Sequence, residues 1–96
     1  MIHNFRSDAA RDIFAGQDTK KARKAVDPKA WPAAQRKMLM LRDAGSLNEL
    51  RSPGTQLEKL EGTMPGFWGM RINNKYRLVF RWEGGNAHDV DVTDYH

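Results

Sequence analysis

The chain has 96 residues, with 16 Lys and Arg against 12 Asp and Glu, and a formal net charge of +4. This length predicts one domain spanning residues 1–96, and the absence of cysteine excludes disulfides and thiolate metal sites. No apolar run is long enough to cross a membrane and the start lacks a secretory signal, so we expect a cytoplasmic protein with no membrane partner. The positive excess fits an ordinary basic surface and a nucleic-acid partner equally well.

The first residues of the chain predict a short strand followed by a short helix. Ile2 and Phe5 flank the candidate strand, Ser7 is typical of a helix N-cap, and Gly16 lies just past the helix end. Residues 17–26 are rich in Lys and Arg, with few apolar side chains. They predict either a loop or a weakly formed polar helix.

The main helix is predicted after a second start signal. Asp27-Pro28 has the residue types of an N-cap and first helical position, but Pro32 delays the regular helix until about Trp31. From residue 33 to 45 apolar residues recur at helical spacing, so this helix packs by one face. Residues 46–50 predict one further turn.

The second half of the sequence alternates in the manner of strands, with Gly- and Asn-rich turns between them. The four predicted strands are Thr55 to Leu60, Phe67 to Ile72, Tyr76 to Trp82 and His88 to Val92. Helices followed by an antiparallel meander predict an α+β fold.

The hairpin register follows from keeping one face apolar, because a slip of one residue moves every side chain to the other face. A two-residue turn, Asn73-Asn74, would mix charged and apolar residues on both faces. A three-residue turn, residues 73–75, pairs Met70 with Leu78 and is therefore preferred. By the same reasoning the next turn is predicted as Gly84-Gly85-Asn86.

The predicted registers place specific side chains opposite one another in the sheet. In the second hairpin Leu78 would face Val92, Phe80 would face Val90, and Arg81 would pair with Asp89.

The preferred register also places Arg71 directly opposite Arg77, on the face away from the helices. Like charges at such positions destabilise a sheet, whereas an anion between them would reverse that effect. Guanidinium groups suit phosphate because they donate two parallel hydrogen bonds. The alternative is two solvated arginines on an exposed face.

Two further groups have side chains suited to proton transfer. Asp94-Tyr95-His96 follows an apolar strand, and histidine carries protons readily near neutral pH. Glu58 lies on a strand expected beside the meander, where a carboxylate can act as a base or can simply be solvated. His3 and His88 are lone histidines without ligand-spaced partners, so no metal site and no cofactor are predicted.

Together these residues resemble the HigB branch of the RelE toxin superfamily over nearly the whole chain. The matching segments are Leu57-Glu58-Lys59-Leu60-Glu61-Gly62, Gly66, Met70-Arg71-Ile72-Asn73, Tyr76-Arg77-Leu78-Val79-Phe80 and Asp91-Val92-Thr93-Asp94-Tyr95-His96.

The resemblance implies a twisted antiparallel sheet of the RelE and microbial-RNase type, packed against N-terminal helices. It implies the toxin of a type II toxin–antitoxin pair, which cuts mRNA in the ribosomal A site without a metal. Attack by a ribose 2′-OH would give a 2′,3′-cyclic phosphate. A helix-turn-helix antitoxin would neutralise the toxin, and DNA would be contacted only through that complex.

Site roles carry over only where residues match. Arg77, and less directly Arg71, would bind the scissile phosphate, while His96 would act as general acid or base. Tyr95 would stack on or orient a base, and Asp94 would orient His96 or cap the chain end.

Glu58 departs from the family pattern, because several members have a histidine at this position and a subset has glutamate. The histidine mechanism therefore does not transfer to it, and its role as base or positioner stays open. This departure keeps open the main alternative, a non-catalytic module that binds RNA or the ribosome. A DNA-binding regulator is the weaker third reading, because the main helix lacks a suitable helix-turn partner.

Basic side chains of the helical half are predicted to contact the ribosomal RNA backbone, where they would position the protein without reading sequence. These residues are Lys20, Lys21, Arg23, Lys24, Arg36, Lys37 and Arg42.

Overall fold

The computed structural model describes residues 1–94, in which helices precede a four-stranded antiparallel sheet. The α-helices are α1 (Asp8–Phe14), α2 (Lys20–Ala25) and α3 (Trp31–Asp43), with 3₁₀ turns at Pro28–Ala30 and Leu47–Leu50. The strands are β1 (Glu58–Lys59), β2 (Trp68–Arg71), β3 (Tyr76–Glu83) and β4 (Asn86–Asp94), in that order across the sheet. The predicted α+β class is confirmed.

Side-chain caps explain where the short helices begin. The Ser7 hydroxyl accepts a hydrogen bond from the Ala10 N–H at 3.1 Å, which confirms the predicted N-cap of α1. Thr19 caps α2 in the same way through the Ala22 N–H at 3.2 Å. Residues 20–25 are therefore a helix, which decides between the two structures predicted for this segment.

The core lies between the helices and one face of the sheet. Met38 and Leu41 of α3 are fully buried with Leu78 and Phe80 of β3. At the edge of this layer the Tyr76 hydroxyl accepts a hydrogen bond from the Asp27 N–H at 3.0 Å. The predicted start of α3 at Trp31 and its apolar stripe are thereby confirmed.

The N-terminal segment runs alongside β4 as isolated bridges rather than as the predicted strand. Ile2 pairs with Ala87 and Phe5 with Val90, both parallel. The Arg6 N–H donates to the Val90 carbonyl at 2.8 Å. This segment therefore covers part of the edge that β4 would otherwise leave open.

The first predicted strand, Thr55 to Leu60, is shorter than expected and reduces to β1. Thr55 is fully buried, and its hydroxyl donates to the Leu50 carbonyl at 2.7 Å, within a turn. Gln56 has a φ of 47°, which is incompatible with a strand. The prediction was wrong here because the Thr55 hydroxyl is hydrogen-bonded within a turn, and regular strand pairing begins only at Glu58.

The predicted three-residue turn, Gly84-Gly85-Asn86, is also wrong. Glu83 pairs with Asn86, so the turn consists of Gly84 and Gly85, whose φ values are 59° and 79°. Two positive φ values are what a type I′ hairpin turn requires, and its twist matches that of the strands. Leu78 nevertheless faces Val92 as predicted, because the register shifts between Val79 and Arg81.

The shift is a β-bulge at Asp89, where β4 has one more residue than β3 between the pairs Arg81–His88 and Val79–Asp91. Asp89 has a φ of 51°. Its carboxylate accepts hydrogen bonds from Asn4 Nδ2 at 2.7 Å and Arg81 Nε at 2.8 Å. The predicted ion pair with Arg81 is confirmed, but the predicted register is wrong here, because Arg81 lies opposite His88. These bonds, that from Asn4 first, hold the pKa of Asp89 below its usual value.

We expect Asp89→Asn to lower the Tm by a few degrees at neutral pH and to have little effect in acid. Asn tolerates the left-handed backbone, so the change tests mainly the carboxylate. Because folding lowers the pKa of Asp89, its stabilisation is present above the unfolded pKa of about 3.9 and is lost as the pH falls through the folded value.

The measurement is thermal unfolding of both proteins from about pH 7 down to pH 3. Glu61→Gln, an exposed carboxylate change, is the matched control. A difference in Tm that stayed constant across this range would contradict the prediction.

Candidate active site

The pairing of β2 with β3 places Arg71 directly opposite Arg77, as the alternation of apolar residues predicted. Met70 faces Leu78 and lies in the core with it. The two arginines therefore project from the face of the sheet that the helices do not cover. We call this side the arginine face. It is defined by Arg71, Arg77 and the residues at every second position from them along the strands.

Arg77 is held along its length by neighbouring strands. A Cβ atom at Gly69 would lie 2.8 Å from Arg77 Cδ, so the aliphatic part of the arginine runs across this glycine. Beyond it, Arg77 Nη2 lies 3.3 Å from Glu58 Oε1 on β1. The Arg77 side chain is 22 % exposed and that of Glu58 59 %. The guanidinium group is thus positioned at the surface, within reach of a carboxylate.

Arg71 is held by the turn that follows β2. Its Nε donates to the Asn73 carbonyl at 3.3 Å, and its guanidinium group also donates to the Asn74 side chain. Asn73 Oδ1 in turn accepts from the Tyr76 N–H at 2.8 Å, which fixes the turn. The two asparagines therefore shape the turn and orient one arginine of the pair.

The end of β4 brings Thr93 beside Arg77, with which it pairs. Asp94 pairs instead with Tyr76, and its Oδ2 lies 4.0 Å from Lys75 Nζ. Asp94 is therefore one position away from the residue that pairs with Arg77. Tyr95 and His96 lie outside the described residues, and their predicted roles stay predictions.

The arginine face also contains a small apolar cluster that the sequence analysis missed. Val79, which pairs with Gly69 and Asp91, is completely buried, and Leu60 is 6 % exposed. The available signal was the unbroken run Leu78-Val79-Phe80, which is typical of a strand covered on both sides. Leu60 Cδ1 and Arg77 Cδ both lie beside Gly69, at 3.3 Å and 2.8 Å from the position that its Cβ would take.

The basic residues predicted to bind ribosomal RNA belong to the helical layer, on the opposite side of the sheet from the arginine pair. Lys20, Lys21, Arg23 and Lys24 lie on α2, and Arg36, Lys37 and Arg42 lie on α3.

Several of these cations have local acidic partners. Lys21 Nζ lies 2.9 Å from Asp8 Oδ2, and Arg23 Nη1 lies 2.6 Å from Asp18 Oδ1. The hydrogen bond from Lys21 holds the pKa of Asp8 below its usual value. The cations of α2 and α3 and the arginine pair of the sheet thus form two separate surfaces of the protein.

His3 and His88, which the sequence analysis treated as lone residues, come together. Their ring centroids are 4.5 Å apart, because the N-terminal segment runs beside β4. Within residues 1–94, no group of three or more His, Cys, Asp or Glu side chains is placed to hold a metal ion. No helix in this part of the chain is long and apolar enough to cross a membrane.

A sequence profile of the HigB-like toxins, described as RelE-like toxins of the type II toxin–antitoxin system HigB, matches residues 3–96. The chain therefore belongs to the HigB-like toxin family.

Individual relatives agree with this assignment. Toxin HigB-1 of Vibrio cholerae serotype O1 is 42 % identical over 53 residues, which cover 54 % of this chain and 56 % of that protein. Endoribonuclease HigB of Proteus vulgaris is 28 % identical over 53 residues, covering 55 % and 58 %. An uncharacterized protein of Haemophilus influenzae is 26 % identical over 88 residues, covering 91 % and 84 %. The matched region thus spans little more than half the length of the two named toxins.

We expect Gly69→Ala to move Arg77 while leaving the fold stable. The new methyl group would overlap Arg77 Cδ, whereas alanine is favoured over glycine in a strand by about 0.5–1 kcal/mol. The net change in the free energy of unfolding should therefore stay within about 1 kcal/mol.

The measurement is the NMR signal of the Arg77 Nε–H group, together with denaturant unfolding. Gly62→Ala is the matched control, because nothing lies within 4 Å of the position that its Cβ would take. An unchanged Arg77 signal in Gly69→Ala would show that the glycine does not set the path of this side chain.

Proposed function

We propose that this protein is a cytoplasmic endoribonuclease toxin that cleaves mRNA in the ribosomal A site by the metal-independent scheme of its family. The observation that carries this proposal is the arginine pair, Arg71 and Arg77, with Glu58 beside it on one open face of the sheet. Membership of the HigB-like family and the name of the Proteus vulgaris relative, an endoribonuclease, support it.

The reaction needs charge stabilisation at phosphorus and two proton transfers. The 2′-oxygen of a ribose forms a bond to the adjacent phosphorus as its proton passes to a base. The bond from phosphorus to the 5′-oxygen breaks, and that oxygen receives a proton from an acid. The products are a 2′,3′-cyclic phosphate and a 5′-OH end. Arg77 would bind the phosphate oxygens as negative charge accumulates on them, with Arg71 as the second cation.

The groups that transfer protons are those that the family resemblance predicts. His96 would serve as general acid or base, Asp94 would orient it, and Tyr95 would stack against a base of the RNA. Glu58 would act as a base or position the phosphate through Arg77, whose guanidinium group it contacts at 3.3 Å.

Glu58 also occupies a position that a phosphate oxygen would take against Arg77. A substrate phosphate must therefore compete with this carboxylate or share the guanidinium group with it.

The ribosome would be contacted through the basic side chains of α2 and α3, on the layer opposite the arginine face. This arrangement would let the protein bind ribosomal RNA on one side and mRNA on the other. A helix-turn-helix antitoxin would neutralise the toxin, and operator DNA would be bound only through their complex. The competing function is a module that binds the ribosome without cleaving RNA, favoured by glutamate at position 58.

We expect Arg77→Ala to lower the rate of mRNA cleavage by about 10²–10³-fold, the usual loss when one charge-stabilising donor is removed. Removal of His96 should also abolish most cleavage. The measurement is primer extension on ribosomes stalled at a defined codon, with free mRNA alongside.

Arg11→Ala is the matched control, because Arg11 is exposed on α1 and forms a local ion pair with Asp8. Cuts that require the ribosome, Arg77 and His96 would support the proposal. Binding to ribosomes without any cleavage would favour the non-catalytic module instead.

We expect Glu58→Gln to tighten binding of RNA that lacks the attacking 2′-OH. The substitution removes a negative charge beside Arg77, and an exposed pair of this kind is worth at most about 1 kcal/mol, or about fivefold in affinity. Affinity is measured on stalled ribosomes, with Glu61→Gln as the matched control.

The cleavage rate of the same variant separates the two catalytic roles. A loss of about a hundredfold or more in kcat, with the acidic limb of the pH profile altered, identifies Glu58 as the base. A change confined to affinity identifies it as a positioning group. Weaker RNA binding by Glu58→Gln would contradict the expected competition.

A further inference from the structure

A cleft of about 470 Å³ opens between the β1–β2 loop, the N-terminal segment and the bulge of β4. Its lining residues are Arg6, Thr63, Met64, Pro65, Phe67 and Asp89. None of these residues belongs to the catalytic set assigned above.

The cleft lies on the arginine face. The Leu60 N–H donates to the Phe67 carbonyl at 2.8 Å, which continues the pairing of β1 with β2. Phe67 is two residues before Gly69, across which Arg77 runs. The Phe67 side chain therefore lies on the same face of the sheet as the Arg77 side chain. On β3, Arg81 lies four residues beyond Arg77, about 13 Å along the same face. The cleft and the arginine pair are thus two parts of one continuous surface.

The side chains of the cleft have the chemistry of a base-binding site. The Arg6 guanidinium carbon lies 5.8 Å from the centre of the half-buried Phe67 ring. Aromatic rings and guanidinium planes are the groups on which proteins stack unpaired bases. The Asp89 carboxylate, which also lines the cleft, offers an acceptor for an exocyclic amino group.

The local charge also favours RNA. Asp89 is neutralised by Arg81, whose Nε lies 2.8 Å from its Oδ2. Within residues 1–94, Arg6 forms no ion pair. Its positive charge therefore remains available at the rim of the cleft, where a backbone phosphate would pass.

We propose that this cleft binds the base of a nucleotide that flanks the cleaved bond, stacked against Phe67 and Arg6. The proposal rests on the proposed function and adds to it a second point of contact with the mRNA. The distance along β3 separates this base from the reacting phosphate, so the contact positions the strand. Phe67 and Arg6 are accordingly positioning residues.

The test scans an mRNA with single abasic nucleotides on both sides of the cleaved bond. Single-turnover cleavage on stalled ribosomes is compared for the wild-type protein, Phe67→Leu and Phe67→Trp. We expect one position outside the cleaved dinucleotide at which the abasic substitution slows the wild-type protein by about tenfold, the value of one stacked base. At that position the abasic nucleotide should not slow cleavage by Phe67→Leu relative to intact mRNA. It should slow Phe67→Trp as much as it slows the wild-type protein.

Arg6→Gln and its matched control Arg11→Gln separate a local contact from a general loss of positive charge. Only Arg6→Gln should reduce the sensitivity at the flanking position. Thermal unfolding confirms that each variant is folded before its cleavage is measured.

The possible failures are distinguishable. If the wild-type protein cleaves no mRNA, the proposed function fails. If it cleaves but Phe67→Leu keeps the same sensitivity at every abasic position, only the cleft proposal is overturned. If Phe67→Leu and Arg6→Gln weaken antitoxin binding and leave the abasic profile unchanged, the cleft is a protein-docking surface and the proposal is likewise wrong.

Discussion

One extra residue in β4, at the Asp89 bulge, decides which side chains surround Arg77. Continued from the two-glycine turn without the bulge, the register would place Val92 opposite Arg77 and Asp91 opposite Leu78, in the core. With the bulge, Thr93 pairs with Arg77 and Val92 with Leu78. Asn4 and Arg81 hold Asp89 in its left-handed conformation from both sides. The N-terminal segment thus stabilises the feature on which the arrangement of the candidate site depends.

Apolar alternation was sufficient to predict the first hairpin, because slipping β2 against β3 by one residue would place Met70 and Arg77 on the same face, mixing apolar and charged side chains. The second hairpin was predicted with the right strand pairing at Leu78 and the wrong turn. Gly84-Gly85 is the residue pair of a two-residue turn, whereas the apolar register demanded three residues. Both requirements are met by a bulge, so the disagreement between them was itself the signal. It was missed because Asp89 is not glycine.

The parts of the site that sequence reasoning could not predict are contacts between distant segments. Glu58 reaches Arg77 because it pairs with Gly69, across which the arginine side chain runs, and nothing in the local pattern gives that register. Arg6 meets Phe67 because the N-terminal segment lies beside β4. Periodicity specifies which face a residue occupies, but not which distant residue it touches there.

The pairing of the N-terminal segment with β4 has a consequence for how the protein folds during its synthesis. Phe5 finds its partner, Val90, only after 85 further residues have been added. Closing so long a loop is entropically costly, and such non-local contacts form late in folding. During synthesis the helical layer and the first hairpin can assemble early, while the contact of Asn4 with the Asp89 bulge waits for the final hairpin. A chain of this toxin family would then complete the arrangement around its arginine pair only at the end of synthesis.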